Sequence, residues 1–371
     1  MSSALPDSRR AAILERVGRD GDVKISSLAQ ELGVSPITVR RDLARLAGEN
    51  LIEQVRGGAR RLAAPAGRSS TGTTPQASAE NTAQASIAMV TPSLQYYWPT
   101  VVAGARRAAA RADARLLVQA SSATAADNLS VLEELAEDST IDALIFVPDL
   151  SAGTVSERLV ERLQEMPLPV VLVERSIRAL GRHSRTFDSV RTDHASGAAM
   201  ALRHLADLGH ERVALLSDPF SPTRPLLEDG FTRTRADLGF AESPEDIGTI
   251  DTHGPSPFEA IDGFLHRCSS HGTTAALVHS DEAALLVLQH AQRRGWSIPQ
   301  DLSIISYDDE LSDLSHPPLT AVAPPREALG ERAIGLALQR LHSPEAPIER
   351  VELLPAVTLR STTAPPPGRC C

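Results

Sequence analysis

The sequence predicts an α/β protein with two lobes of parallel sheet, preceded by a small domain of helices and a β-hairpin. From residue 86 onward, short apolar runs alternate with longer amphipathic stretches, and this alternation occurs once before and once after Asp193. The first 62 residues lack that alternation and have apolar residues at helical spacing instead. A chain of 371 residues is long for one domain and sufficient for two or three.

The third predicted helix of the small domain begins at Ser35. Its hydroxyl can accept a hydrogen bond from an otherwise unpaired backbone N–H, and Pro36 suits the first helical position, where a missing N–H costs nothing. Two shorter helices are expected upstream, over about residues 8–19 and 27–32, with Gly33 in the turn after the second. The apolar stripe of the third helix is Val39, Leu43 and Leu46.

A second face of this helix, and the hairpin expected after it, are basic. Apolar residues around Gly57 and Gly58 are typical of two short strands joined by a tight turn. This order of helices, glycine turn and basic hairpin is that of a winged helix-turn-helix, whose last helix enters the major groove of DNA. We therefore expect double-stranded operator DNA as a partner; a solvated basic surface is the alternative. The expected DNA contacts are Ser35, Pro36, Thr38, Arg40, Arg41, Arg45, Arg56 and Arg60.

This segment resembles the winged helix-turn-helix of the DeoR family of bacterial regulators. The likeness is carried by "VSPITVRRDLARL" in the third helix and by "GGA" in the wing, and it covers about residues 8–62. Gln54 and Arg56 stand where the family usually has Arg and His, so the wing of this chain differs in two of its polar side chains.

Charge is divided unevenly along the chain, whose formal net charge is −10. Residues 1–62 hold eleven Lys and Arg against eight Asp and Glu, whereas the remainder holds 26 against 39. The positive charge therefore lies in the segment expected to meet phosphates, and the acidic remainder is repelled from DNA.

Composition indicates an ordinary globular protein, with 42% apolar and 23% charged residues. No run approaches the ~18–20 apolar residues of a membrane span, and the N-terminus has no apolar signal-peptide core. We therefore expect a cytoplasmic protein with no membrane partner. The three cysteines, Cys268, Cys370 and Cys371, have no metal-binding spacing, and we expect neither a metal nor a cofactor.

The strands of the two lobes are expected at the apolar runs. Ligands of such sheets bind beyond the carboxyl ends of the strands, so polar residues that follow these runs are candidate contacts. The first lobe has runs at 86–91, 115–120, 142–147 and 169–174, and the second has runs at 212–217, 274–279 and 302–309.

This region resembles the effector domain of the LacI/GalR regulators, which has a two-lobed periplasmic-binding-protein-like fold. The likeness is carried in order by "PVVLVERS", "FDSVRTDHASGAAMALRHLADLGHERVALLS", "HSDEAAL", "GWSIPQDLSIISYDD" and "PPLTAVAPPREALGERA". It implies hinge crossings near residues 191–193, 320–324 and 352–355, a small-molecule effector between the lobes, and a homodimer formed through this domain.

Four divisions of the chain are therefore expected. Residues 63–85 are rich in Ala, Ser, Thr, Gly and Pro and form a flexible linker. Residues 1–62 are the DNA-binding domain, residues 86–362 are the effector-binding and dimerisation domain, and residues 363–371 are a disordered tail.

Two carboxylates that end apolar runs match ligand positions of the LacI/GalR family. Glu174 stands where the family often has Asp, and a carboxylate there can accept two hydroxyl hydrogen bonds, as recognition of a sugar or polyol requires. Its alternative is an ion pair with Arg175. Asp308 matches the family's ligand-facing aspartate, and a structural role at the hinge is its alternative.

Five further residues have a ligand-binding and a structural interpretation. Tyr97 and Trp98 either stack on a ligand ring or cap the following helix. Asp281 either contacts ligand or caps the helix that begins at Glu282. Ser221 and Thr223 either donate to ligand oxygens or form a turn.

The family's ligand-binding arginine is absent, because its position, three residues before Gly230, is occupied by Leu227. Arg224, one helical turn earlier, is the nearest guanidinium.

No catalytic arrangement competes with these sites. The histidines lack H-E-x-x-H spacing, and the sequence has no glycine-rich phosphate loop and no G-x-S-x-G elbow, so we do not expect an enzyme. We expect a DNA-binding repressor whose operator binding is controlled by a sugar or related polyol. A solute-binding protein of the same fold is the alternative.

Overall fold

The computed structural model separates into two compact units, Met1–Glu80 and Asn81–Cys371. In the part of the chain that the structure describes, no helix is both long and apolar enough to cross a membrane. The described residues are 16, 22–24, 27–28, 39, 43, 53–55, 58–60, 84–121, 124–149, 154–175, 187–241 and 243–367.

The first unit contains a three-stranded antiparallel sheet of β1 (Asp22–Lys24), β2 (Glu53–Val55) and β3 (Gly58–Arg60), in the order β1-β3-β2. Strands β2 and β3 pair with Val55 opposite Gly58, which confirms the predicted hairpin. Strand β1 pairs with β3 and was not predicted, because three residues are too few for a periodic signal. The buried side chains of Val39 and Leu43 confirm the predicted apolar stripe of the third helix, and Leu46 lies outside the described residues.

The first lobe of the second unit is a six-stranded sheet in the order β14-β8-β7-β6-β4-β5, and every described strand pair in it is parallel. The runs predicted in this lobe are strands, and β8 and β14 complete the sheet. The strands are β4 (Ser86–Thr91), β5 (Arg115–Ala120), β6 (Ala143–Phe146), β7 (Val170–Val173), β8 (Asp188–Thr192) and β14 (Arg350–Leu353).

Helices cover both faces of this sheet, and each face has its own apolar core. One core lies under α1 and α8 and includes Val101 and Leu329; the other lies under α2 and α3 and includes Leu132 and Leu159. The helices are α1 (Trp98–Arg111), α2 (Ala125–Glu137), α3 (Thr154–Glu165) and α8 (Arg326–His342).

The second lobe is a six-stranded sheet in the order β10-β9-β11-β12-β13-β15, parallel except for β15, which pairs antiparallel with β13. Its strands are β9 (Val213–Ser217), β10 (Ile247–Thr249), β11 (Ala275–Val278), β12 (Ser303–Tyr307), β13 (Thr320–Ala323) and β15 (Ala356–Thr358). Its helices are α4 (His194–Asp207), α5 (Arg224–Asp237), α6 (Pro257–His271) and α7 (Asp281–Arg293).

Helix α6 was not predicted, although its sequence carries the signal. Its buried residues fall at helical spacing and pack on the second-lobe core: Ile261, Phe264, Leu265 and Cys268. The helical spacing is hard to recognise in the sequence because three glycines, at positions 254, 263 and 272, lie within or beside this segment.

The chain crosses between the lobes three times, near the positions that the resemblance to the LacI/GalR regulators implies. It crosses after Thr192, after Ala323, and between Leu353 and Ala356. The second crossing leads into α8, which returns to the first lobe and packs along α1. Each lobe is therefore built from segments that are distant in sequence.

Helices α1 and α8 approach each other backbone to backbone at two glycines. A Cβ added to Gly104 would lie 2.0 Å from the carbonyl oxygen of Glu327, and one added to Gly330 would lie 1.9 Å from that of Val101. Neither position has room for a side chain, so the separation of these helices depends on glycine at both.

Candidate ligand site between the lobes

The segments that follow β4 and β12 meet across the boundary between the lobes. The hydroxyl of Tyr96, after β4, donates to Asp308 Oδ2 at 3.0 Å, just beyond β12. Thr100 Oγ1, in the first turn of α1, lies 3.5 Å from Glu310 Oε1. These contacts place the carboxyl ends of strands from both lobes at one site, where a ligand of this kind of sheet binds.

The Glu174 carboxylate accepts three hydrogen bonds from the residues around it. Its Oε1 accepts hydrogen bonds from the Tyr97 hydroxyl and, at 2.8 Å, from the Thr192 hydroxyl, and its Oε2 accepts the Thr192 N–H at 3.1 Å. His194 Nε2 lies 3.3 Å from Oε2, within ion-pair range but outside hydrogen-bond geometry. The side chain is 4% exposed.

The charge of Glu174 is stabilised despite its burial. Burial raises its pKa, but the attraction of His194 and the hydrogen bonds from Tyr97 and Thr192 outweigh burial and lower the pKa to about 2. The predicted alternative, an ion pair with Arg175, is not what the structure shows, because the Arg175 guanidinium bonds to the Glu174 carbonyl oxygen.

Asp308 has the opposite electrostatic character. Burial, followed by the nearby charge of Asp281, raises its pKa well above the usual value. Its backbone carbonyl accepts a 2.7 Å hydrogen bond from Nη1 of Arg326, the first residue of α8. This bond ties the end of β12 to the beginning of α8, just after the second crossing. Asp308 therefore has both a carboxyl group that bonds across the lobe boundary and a structural role beside the hinge.

The backbone at these strand ends is strained. Tyr96, Glu174, Asp308 and Asp309 have positive φ values of 53°, 57°, 106° and 54°. Such conformations cost non-glycine residues of order 1–3 kcal/mol each and cluster at functional sites. The left-handed backbone aims the Glu174 and Asp308 side chains, and the surrounding hydrogen bonds hold it in place.

Asp281 is fully buried, and its carboxylate holds the loop after β12. Oδ2 accepts the N–H groups of Glu310 and Leu311 at 2.6 and 2.8 Å, and Oδ1 accepts the Ser312 hydroxyl at 2.7 Å. It does not cap α7, whose N-cap is Ser280. A direct ligand contact of Asp281 stays a prediction, and the bonds that the structure gives it are structural.

The two aromatic residues predicted after β4 are both half-buried and pack on the first-lobe core. Tyr97 is the hydrogen-bond partner of Glu174, and the Trp98 ring meets it edge-on with centroids 5.3 Å apart. Trp98 is the first residue of α1. Stacking of either ring on a ligand stays a prediction.

Ser221 and Thr223 lie in the loop after β9. Ser221 Oγ accepts the Thr223 N–H at 3.2 Å, which is the turn geometry of the structural alternative. Phe220 beside them is 78% exposed, the highest exposure among the large apolar side chains described, and sequence reasoning did not single it out. Leu227 is fully buried in the apolar core, and Arg224 pairs with Glu228 at 2.6 Å.

Sequence reasoning also missed residues that join the site to the first crossing. His194 Nδ1 lies 3.0 Å from the Tyr307 hydroxyl, and the rings of Tyr307 and His279 lie 5.7 Å apart. With Thr192, these residues connect Glu174 to the second-lobe sheet. Their positions next to a predicted crossing and at predicted strand ends were the available signal.

The expected DNA contacts at positions 35–45 and Arg56 lie outside the described residues, and Arg60 is described only as part of strand β3. Their contacts with DNA stay predictions.

Comparison with known proteins matches both parts of the chain to characterised families. Residues 9–64 match the model of the DeoR-like helix-turn-helix domain, and residues 202–363 match that of the periplasmic binding protein-like domain. The HTH-type transcriptional regulator MalR of Streptomyces coelicolor is 29% identical over 243 residues, which are 64% of this chain and 68% of MalR.

Solved structures show the same two-lobed architecture. A LacI family transcriptional regulator from Mycobacterium smegmatis is 25% identical with a TM-score of 0.62, covering 76% of this chain and 99% of that one. A LacI family regulator from Enterococcus faecium with bound ribose is 23% identical with a TM-score of 0.61, covering 76% and 99%. The second likeness concerns the fold alone.

Proposed function

We propose that this chain is a repressor controlled by a sugar or related polyol, because it joins a DeoR-like helix-turn-helix to a periplasmic binding protein-like domain and is similar to HTH-type transcriptional regulators. The observation that carries this proposal is that two adjacent tyrosines after β4 bond to carboxyl groups of both lobes, Tyr96 to Asp308 beyond β12 and Tyr97 to Glu174 beyond β7. A related structure contains bound ribose, which supports a sugar as the class of effector.

The effector acts through the three crossings. Glu174 accepts a hydrogen bond from Thr192 at the first crossing. The backbone carbonyl of Asp308 accepts a hydrogen bond from Arg326, which begins the helix after the second crossing. A polyol hydroxyl that bonds either carboxyl group competes with Tyr96 or Tyr97 and shifts the relative stability of open and closed lobes. The sequence and the geometry together support this role for Glu174, Asp308 and Tyr97, and Trp98, Ser221, Thr223 and Asp281 are further proposed contacts.

The proposal includes the division of the chain into a DNA-binding domain at 1–62, a linker at 63–85, an effector domain at 86–362 and a tail at 363–371. It also includes a homodimer in the cytoplasm, since two heads on a symmetric dimer can bind two half-sites of an operator at once. Sedimentation at micromolar concentration tests the dimer, and a monomer that binds its operator 1:1 contradicts it.

Operator binding is tested with the purified protein and the DNA upstream of its own gene. If Arg41 contacts a base, Arg41→Ala should weaken operator binding by ~1–3 kcal/mol. If it contacts a phosphate, the slope of log affinity against log salt concentration should become shallower by about one. The control is Arg158→Ala, which removes the same charge from an exposed position on α3, in the effector domain. Unchanged affinity and salt dependence of Arg41→Ala would exclude this residue from the interface.

Effector binding is tested by thermal shift with neutral sugars and polyols, followed by operator binding in the presence of each compound that stabilises the protein. A ligand at 100 times its Kd should stabilise the folded state by ~2.7 kcal/mol. If no such compound stabilises the protein or changes its operator affinity, the sugar-or-polyol part of the proposal fails while the DNA-binding part stands.

A further inference from the structure

The edge of the second-lobe sheet that β15 forms is open and uncharged. Strand β15 is the last in the order of this sheet and, among the described residues, pairs only with β13. Its residues, Ala356–Thr358, carry no charge, and Leu354 and Leu359 beside it are 67% and 61% exposed. The opposite edge strand, β10, lies between Asp246 and Asp251. Charges of that kind discourage pairing with another chain, and the β15 edge lacks them.

A groove runs between β15 and α4. The helix packs against the strand, and Val357 is part of the apolar core that α4 covers. The groove has a cavity of about 310 Å³, lined by Met200, Arg203, His204, Asp207, Val357 and Leu359. Its four helical residues fall at helical spacing and form one stripe along α4. A groove between an edge strand and a helix suits the addition of a further strand, whose main chain bonds to the edge and whose side chains enter the groove.

The strand is held in place without a partner. The Thr358 hydroxyl donates to Asp309 Oδ2 at 2.9 Å, and Arg360 Nη1 forms an ion pair with Asp309 Oδ1 at 2.6 Å. The Arg360 N–H donates to Thr320 Oγ1, on β13, at 3.0 Å. A partner therefore meets an edge that is already ordered, so binding loses little conformational entropy of this chain.

Arg203 and Asp207 carry the charges of the groove. Both side chains are exposed, and neither forms an ion pair with a residue that the structure describes. Burial lowers the pKa of His204, so the ring between them is neutral at pH 7. The two charges are opposite and lie one helical turn apart. If a second copy of α4 lies antiparallel to the first, Arg203 faces Asp207 of the partner subunit, and the stripe is complementary to itself.

We propose that the groove between α4 and β15 is an interface between two copies of this chain related by a twofold axis. The two β15 edges pair antiparallel, Leu359 packs on the partner subunit's apolar surface, and Arg203 pairs with Asp207 of the partner subunit. Three strand residues and one helical stripe are few against the roughly 20–30 residues a side of a stable interface. The contact is therefore weak and is additional to the dimer of the proposed function. Copies bound to the same DNA have an effective concentration of about millimolar, at which a weak contact forms.

The test is sedimentation equilibrium of the full chain from about 1 µM to 1 mM, a range that resolves weak association. A further association step should follow the dimer as concentration rises. Arg203→Asp and Asp207→Arg should each raise the dissociation constant of this step at least about 10-fold, because a twofold interface then opposes like charges twice. The absence of the step over that range overturns the inference. The species at the lowest concentration tests the proposed dimer, so the two ideas can fail separately.

An equimolar mixture of the two charge variants tests the pairing itself. Opposite charges face each other again when Arg203→Asp meets Asp207→Arg, so the mixture should regain the association that each variant alone has lost. The charge-matched controls are Arg233→Asp and Asp229→Arg, which reverse an exposed pair one turn apart on α5 and should leave the step unchanged. A mixture that does not regain association overturns the proposed pairing.

A further variant tests the apolar part of the interface without changing charge. Leu359→Ser should raise the dissociation constant several-fold, because it removes an exposed apolar side chain from the groove. Leu238→Ser, which changes a 41% exposed leucine at the end of α5, is its control. Thermal unfolding shows whether each variant is folded. Equal dissociation constants in the wild type, Leu359→Ser and the two charge variants would assign the association to another surface and overturn the inference.

Discussion

Replacement of Gly330 by Ala tests whether the close approach of α1 and α8 sets the structure of the first lobe. The new Cβ would lie 1.9 Å from Val101 O and 2.6 Å from Ala105 N, both backbone atoms that no rotamer change can move. Ordinary contact begins near 3.4 Å, so the helices must separate by more than 1 Å along a core that includes Val101 and Leu329.

The expected loss in the free energy of unfolding is the difference between two effects. Overpacking of a filled core costs typically 1–3 kcal/mol and occasionally more, whereas Gly→Ala inside a helix gains ~0.5–1 kcal/mol. Because the new Cβ would overlap backbone atoms, overpacking should lie at the upper end of its range, and Gly330→Ala should lower the free energy of unfolding by about 2 kcal/mol or more. Gly335→Ala is the control in the same helix, because its nearest neighbour is Arg332 Nη1 at 3.8 Å. It should raise that energy by up to ~1 kcal/mol.

Urea unfolding of the two variants and the wild type, followed by circular dichroism, measures both effects at constant temperature. Opposite signs for the two substitutions are the expected result. If Gly330→Ala is as stable as Gly335→Ala, the helices are not held by a backbone contact and this description of the first-lobe core is wrong.

Three further results are expected. Gly197→Ala should destabilise the second lobe by about 1–3 kcal/mol and weaken the effector response in thermal-shift assays, since its Cβ would lie 2.4 Å from the Tyr307 hydroxyl; an unchanged melting temperature and response would contradict this. Because burial lowers the folded-state pKa of His279 to about 3, the unfolded chain alone takes up that proton as pH falls below ~6.5, so stability should fall by roughly 1.4 kcal/mol per pH unit down to about pH 3. In His279→Asn the free energy of unfolding, measured with urea, should depend less on pH between about 3 and 6.5. Equal pH dependence in the variant and the wild type would show that His279 is not the group responsible. Doubling residues 63–85 with Gly and Ser should lower operator affinity in fluorescence anisotropy, because the effective concentration of the second head falls, and unaltered affinity would argue against a coupling role for the linker.

The sequence predicted the elements of the site better than the contacts within it. Glu174 and Asp308 were identified because each follows an apolar run, and such a position is a local property of the sequence. The partners of Glu174 are Tyr97 and Thr192, which are 77 and 18 residues away, and no periodic pattern relates them. Asp281 shows the same limit, since its bonds to residues 310–312 depend on the fold of two loops.

The missed elements have a related cause. Strand β15 is three residues long and becomes a strand by pairing with β13, so its own sequence carries little signal. Tyr96 was passed over beside Tyr97 and Trp98, because only its left-handed backbone directs its hydroxyl to Asp308. Features that depend on a neighbouring residue of the same helix or strand were predictable, and those that depend on residues distant in the sequence were not.

The threefold crossing of the chain has a consequence for synthesis on the ribosome. The first-lobe sheet includes β14, and its α1 face is covered by α8, yet both are made only after the strands and helices of the second lobe from α4 to β13. At 5–20 residues per second, roughly 8–30 s separate the emergence of β8 from that of β14. During that interval the nascent first lobe exposes the surface that Leu329, Ile334 and Leu336 later cover. The growing chain therefore presents an apolar surface to chaperones, and the complete effector domain assembles only near the end of translation.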